Sequence, residues 1–162
     1  MPPKVVSIKT DELPERVLAY VPHRGPYQNN PDLFKDLYAQ LMSWAEPRGM
    51  LAQPGMEMIT VYHDDPDTTP EAEQRISVGI TVPDDATPGE GIQLMDLPGG
   101  TYVVGTFELD VDQYEAAWKA VFDYISSNQL SPGDGPMYES YRNNPDEHPQ
   151  GKHLVDICIA IV

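Results

Sequence analysis

Met58-Ile-Thr-Val-Tyr-His-Asp-Asp65 and Met137-Tyr-Glu-Ser-Tyr-Arg-Asn-Asn144 are two versions of one segment. Met58 matches Met137, Tyr62 matches Tyr141 and Pro66 matches Pro145, each 79 residues apart, and Asp64-Asp65 becomes the near-isosteric Asn143-Asn144. The same offset lays Ile76, Val78, Ile80 and Val82 on Val155, Ile157, Ile159 and Ile161. A repeat of this length forces each half to build the same small motif. The halves differ at one informative place, where Thr60 of the first stands against Glu139 of the second.

The local patterns spell out that motif. Val5–Ile8 and Val17–Val21 read as strands separated by Asp11-Glu12-Leu13-Pro14. Asn30 is a good N-cap with Pro31 at the first helical position, and Leu33, Phe34, Leu37, Leu41, Trp44 and Ala45 follow at helical spacing until Pro47. Glu57–His63 and Ile76–Val82 are expected to pair as strands. The second half repeats the order. Ile92–Leu97 and Thr101–Leu109 flank the turn Pro98-Gly99-Gly100. Asp110 and Gln113 suggest a capping box for a helix carrying Val111, Tyr114, Ala117, Trp118, Val121, Phe122 and Ile125. Pro136–Arg142 and Leu154–Ile161 close the chain.

The expected fold is therefore α+β, with two pseudo-symmetric β-β-α-β-β repeats, about residues 4–83 and 91–162, joined by a polar linker at 84–90. The repeats are expected to form one antiparallel sheet with two helices on one face and a central cleft. At 162 residues the whole suits one domain, or two small fused halves, able to bury roughly 70% of its unfolded surface.

Charge narrows the partners. The formal net charge is −16, spread along the chain, which repels nucleic acid and anionic membranes and attracts cations or basic protein surfaces. No apolar run is long enough to span a bilayer, no export leader opens the chain, and Cys158 has no cysteine partner, so a reducing cytoplasm is the expected setting.

Common catalytic and cofactor signatures are missing, including Gly-rich phosphate loops and a nucleophile elbow. His23, His63, His148 and His153 form no paired ligand set, and Asp64-Asp65-Pro66-Asp67 lacks the spacing of a calcium loop, so neither a metal nor a cofactor is expected. Glu139 is different. A carboxylate between Met137, Tyr138 and Tyr141 is costly to bury unless compensated. It either sits at an edge in water, or pairs with Arg142 or Lys152, or forms the floor of an aromatic groove that receives an amphipathic cation. Trp44 and Trp118, read as corresponding helix positions, are candidate walls, with ordinary core packing the preferred role for Trp44.

These residues resemble the GyrI-like small-molecule-binding domain family, most closely its stand-alone bacterial DNA gyrase inhibitor proteins. The resemblance rests on Gly25-Pro26-Tyr27, Leu41–Trp44, Val61-Tyr62-His63-Asp64-Asp65-Pro66-Asp67-Thr68-Thr69-Pro70, Thr81-Val82-Pro83, Gly99-Gly100-Thr101-Tyr102, Trp118 and Tyr138–Asn144, in family order over nearly the whole chain. It implies that Glu139 is the acid that meets cationic ligands, with Tyr27, Trp118 and Tyr141 lining the cleft; Met137, on the same strand face as Glu139, is a further candidate for the ligand site. It also implies a small-molecule ligand and a contact with DNA gyrase. Only Met-Pro-Pro-Lys precedes Val5, so a module without a helix-turn-helix reader is expected. Relatives that resemble toxin hydrolases imply the alternative, in which Glu139 acts as general base on a water and Tyr141 orients the ligand.

Overall fold

A computed structural model describes residues 3–27, 30–65, 68–89, 91–143 and 147–162, without the side chain of Asp134. Pro66, Asp67, Glu90, Asn144 and Pro145, which carry parts of the repeat, the acidic loop and the linker, lie outside the described residues. The strands are β1 (Lys4–Leu13), β2 (Arg16–Arg24), β3 (Met58–Tyr62), β4 (Arg75–Val82), β5 (Gln93–Leu97), β6 (Gly100–Leu109), β7 (Pro132–Tyr141) and β8 (His153–Ile161). The helices are α1 (Pro31–Ala45) and α2 (Tyr114–Ser127). The fold is α+β, and the strands within each compact unit pair antiparallel.

The chain divides into two compact units, one of Met1–Pro14 with Pro98–Val162 and the other of Glu15–Leu97. In the first, here unit 1, the strand order is β1-β6-β8-β7 with α2 packed on β6, β1 and β8. In unit 2 it is β5-β2-β4-β3 with α1 packed on β4 and β2. The units have the same plan, but each takes its outermost strand from the opposite sequence repeat. β1 pairs with β6, and β5 pairs with β2. The last two strands of each repeat pair with one another, β3 with β4 and β7 with β8, but the first two do not: β1 is not paired with β2, nor β5 with β6.

The repeat survives in the pairing itself. Met58, Thr60 and Tyr62 stand opposite Ile80, Val78 and Ile76; Met137, Glu139 and Tyr141 stand opposite Ile159, Ile157 and Val155. Every one of these pairs is carried onto its twin by the same 79-residue step, so the alignment drawn from sequence is also a register. Because strand side chains alternate, a one-residue slip would have turned the branched rows away from the helices.

Local chemistry explains the helix limits. Asn30 Oδ1 accepts from the Leu33 N–H at 3.2 Å, and α1 runs from Pro31 to Ala45, where Pro47 follows in a short 3-10 turn. Leu37, Leu41, Trp44 and Ala45 bury its inner face. Trp44 belongs to the core of unit 2, as its preferred reading held. Gly89 lies against α1, since a Cβ added to it would stand 2.5 Å from the Trp44 ring. In unit 1, Gly105 on β6 has the same use. A Cβ there would meet Phe107 and Val121 at 2.7 Å, so the missing side chain lets α2 settle onto the sheet.

The second helix starts later than its stripe suggests. Only half of the capping box forms: Gln113 Oε1 accepts from the Asp110 N–H at 2.8 Å, while the Asp110 carboxylate accepts from Lys152 instead. The chain turns at 110–113 and α2 begins at Tyr114. Val111, expected on the apolar face, is 75% exposed, and Phe122 is 39% exposed.

Since β1 and β5 each complete the strand set of the opposite repeat, fragments cut at the repeat boundary should fail. Residues 1–83 and 91–162, expressed separately, are expected to give poorly dispersed amide spectra, whereas residues 15–97 give a dispersed one. A folded 1–83 fragment would contradict the exchange.

Candidate functional site: a buried carboxylate held by two aromatic donors

Alternation along β7 sends Met137, Glu139 and Tyr141 toward α2 and Tyr138 to the opposite face, where it meets Tyr102 at 5.9 Å between ring centroids. Glu139 therefore stands over β8 directly opposite Ile157, with Val155 and Ile159 on either side, all three fully buried. Only 3% of Glu139 is exposed. The edge position in water is ruled out. Its two candidate cations are engaged by other acids: Arg142 reaches Asp156 at 3.4 Å and Lys152 reaches Asp110 at 2.8 Å.

Two donors meet the carboxylate instead. Trp118 Nε1–H on α2 donates to Oε2 at 2.6 Å, and the Tyr141 hydroxyl, two residues along the same strand, donates to Oε1 at 2.7 Å. Removing an ion from water costs several kcal/mol, and hydrogen bonds to a charged group return about 1.5–3 kcal/mol each. Two short bonds from aromatic donors thus offset a large part of the penalty while surrounding the charge with ring surface. Phe122, one turn after Trp118, lies 6.2 Å from its ring at a tilt of 32° and extends that surface outward.

Of the residues expected at the site, Trp118, Glu139 and Tyr141 come together in unit 1, and Met137 packs on the same core beside them. Tyr27 lies in unit 2, where it packs edge-on to Phe34 at 6.5 Å and tilted on Tyr62 at 5.8 Å. The pairing of Trp44 with Trp118 is corrected. Leu41 and Val121 set the helix offset at 80, which places Tyr38 opposite Trp118 and leaves Trp44 against Tyr124. Tyr38 indeed performs the corresponding contact, 3.3 Å from the Thr60 hydroxyl. Phe122 and Tyr38 were legible from that offset but were not singled out.

A second contact fixes the start of α2. The Tyr114 hydroxyl lies 2.6 Å from His153 Nδ1 on β8, one helical turn before Trp118. Burial pushes the His153 imidazole below its ordinary value, with Asp110 opposing. His63 is lowered in the same sense by burial and Arg75, and bonds Ser77 at 2.7 Å. His148 sits 3.6 Å from Glu108. Arg75 forks onto Asp64 and holds that carboxyl below the usual range, so the acidic turn is partly neutralised. Among the described residues no three ligating side chains converge as for a metal.

Two surface depressions, of about 350 and 230 Å³, lie at Gly99, Gly100, Gly133 and Ala160 and at Arg16, Pro54 and Met56; Glu139 lines neither. No described helix is long and apolar enough to cross a membrane.

Trp118, Glu139 and Tyr141 thus place a buried acid in an aromatic frame on a duplicated α+β plan. The chain belongs to the GyrI-like small molecule binding domain family, which it matches over residues 6–162. It is 30% identical over 161 residues to the DNA gyrase inhibitor of Escherichia coli (strain K12), covering 96% of this chain and 95% of that protein. Among solved structures, the C-terminal domain of EcmrR matches with a TM-score of 0.72 at 17% identity, over 96% of this chain and 97% of that one. SAV2435 bound to tetraphenylphosphonium matches at 0.63 and 11% identity, over 97% and 94%. At such identities these two structures speak for the fold.

Trp118→Phe keeps the ring and removes one donor from the buried carboxylate. It is expected to lower stability by about 1–3 kcal/mol, read by denaturant titration, with an unchanged midpoint as the contrary result. His153 gives a pH dependence. With its folded value lowered, the folded chain binds fewer protons than the unfolded one, so its contribution is complete above the unfolded value of 6.5 and is lost as pH falls below it. An NMR titration should place the His153 midpoint below 6.5, and a midpoint above it would contradict the burial argument.

Proposed function

We propose that this chain binds amphipathic organic cations at the unit 1 surface made by Trp118, Glu139, Tyr141 and Met137. The observation that carries the reading is the burial of Glu139 between two aromatic donors. Such a carboxylate is poorly served by water, and an aromatic cation laid beside it gains both the counter-charge and the ring faces of its frame. Family membership supports a small-molecule ligand. The cationic class draws support from SAV2435, a neighbour in fold that is bound to tetraphenylphosphonium.

Hydrolysis by Glu139 is less well supported. A general base directs an oxygen at the water it deprotonates, and here each oxygen accepts a bond from a fixed aromatic donor.

Titration with tetraphenylphosphonium is expected to raise the melting temperature of the wild type by mass action. Glu139→Gln should weaken that binding by about tenfold or more, the value of a lost charge-assisted contact. Equal binding in both proteins would remove the cation reading. The gyrase contact rests on relatives that are named DNA gyrase inhibitors and on the net charge of −16, suited to a basic protein surface. Supercoiling assays should show inhibition that fades as salt is raised. No inhibition at low salt with stoichiometric protein would exclude it.

A further inference from the structure

The two units repeat one ladder, and in unit 1 it stops one pair short. β8 repeats β4 at a step of 79, so Ala160 and Ile161 answer to Thr81 and Val82. In unit 2, Thr81 pairs with Leu18 and Val82 with Val17. In unit 1, Ala160 pairs with Tyr102, but the next pair in register, Thr101 with Ile161, is not made. The end of β8 follows β7 instead. Ile161 pairs with Pro132, and the Val162 N–H donates to the Ser131 carbonyl at 3.0 Å. β6 keeps to β1, where Glu12 and Leu13 pair with Thr101 and Gly100. The strands fork, and a depression of about 350 Å³ lined by Gly100, Thr101, Gly133, Ala160 and Ile161 lies at the fork.

Alternation says which main-chain groups meet there. Successive strand residues turn their N–H and C=O to opposite neighbours. Val162 is directed to β7, so Ile161 is directed to β6, with Thr101 across from it. The Thr101 N–H and the Ile161 C=O are the donor and acceptor that closing this pair would join. Gly133 leaves the approach to that carbonyl clear, since a Cβ there would stand 3.4 Å from the Ile161 oxygen.

We propose that this fork binds a short extended peptide, one amide of which accepts from the Thr101 N–H and donates to the Ile161 C=O. In a trans amide the C=O and N–H point in opposite directions, so a single unit placed between the two strands meets both. Main-chain pairing of this kind gives affinity without demanding a particular side chain. No charged side chain lines the depression among the described residues, and Pro98, Ile161 and Val162 offer apolar surface to small aliphatic groups. Glu12, which accepts from the Thr101 hydroxyl, sets a negative charge beside the fork. The interior of a peptide therefore suits it better than a terminal carboxylate. The volume stands at the low end of the range of about 300–1,000 Å³ for small-molecule sites, which fits a few residues of extended chain.

The test uses the full chain, N-acetyl-trialanine amide as the probe and protein-detected NMR as the readout. In the free protein the Thr101 amide should exchange with solvent faster than that of Val103, which lies inside the β6–β8 ladder. The probe should give saturable shifts at Thr101, Gly133 and Ile161 and slow the Thr101 exchange. The same probe methylated at every secondary amide nitrogen has lost the donor, and should bind about three- to tenfold more weakly, the net value of one hydrogen bond. Gly133→Ala should weaken the unmethylated probe in the same sense by crowding the Ile161 carbonyl. Where that variant fails to fold, the methylated probe decides. A Thr101 amide that exchanges as slowly as Val103 in the free protein, shifts that never saturate, or equal binding of the two probes would overturn the proposal.

Discussion

A carboxylate that water cannot reach has to be met by donors the protein itself holds in place. In this chain those donors are an indole on α2 and a phenol on β7, and most of the surrounding architecture serves to bring them to Glu139. The bare Cα of Gly105 lets α2 lie close to β6. The Tyr114–His153 contact fixes the first turn of the same helix, and one turn later Trp118 is within reach. The branched row of β8 supplies a floor with no competing polar group. Each of these is an ordinary packing feature, and together they hold one charge within a frame of rings.

Duplication laid down one strand plan twice, and the side chains then diverged on it. The register of β3 on β4 and of β7 on β8 is the same, so the two strand pairs differ by side chain and hardly by backbone plan. Where unit 1 joins Trp118 to Glu139, unit 2 sets Tyr38 beside Thr60. The exchange of β1 and β5 between units also ties the repeats together, because neither can complete its own four strands. A duplicated motif thereby becomes one inseparable chain.

Much of this was written in local pattern. Asn30 and Pro31 announced α1 to the residue, the alternating rows of β4 and β8 announced their buried faces, and the odd acid among aromatic neighbours announced Glu139. What local pattern does not encode is which distant strand completes a sheet, and so the crossing of β1 and β5 was invisible. The start of α2 was misjudged because Asp110 prefers Lys152, a partner 42 residues away, to its own helix. The true counterpart of Trp118 was hidden by a shift of one residue, since the strands repeat at 79 and the helices at 80.

The central claim, that Glu139 is kept as a buried acceptor ready for a cationic visitor, can be read from the two indole N–H signals of the chain. Trp44 serves as an internal control, because its Nε1 is buried without a hydrogen-bond partner among the described residues. The Trp118 signal should lie well downfield of that of Trp44, resist exchange with solvent, and move on addition of tetraphenylphosphonium while the Trp44 signal stays put. A Trp118 signal at the free-indole position, exchanging freely and indifferent to the cation, would contradict the account.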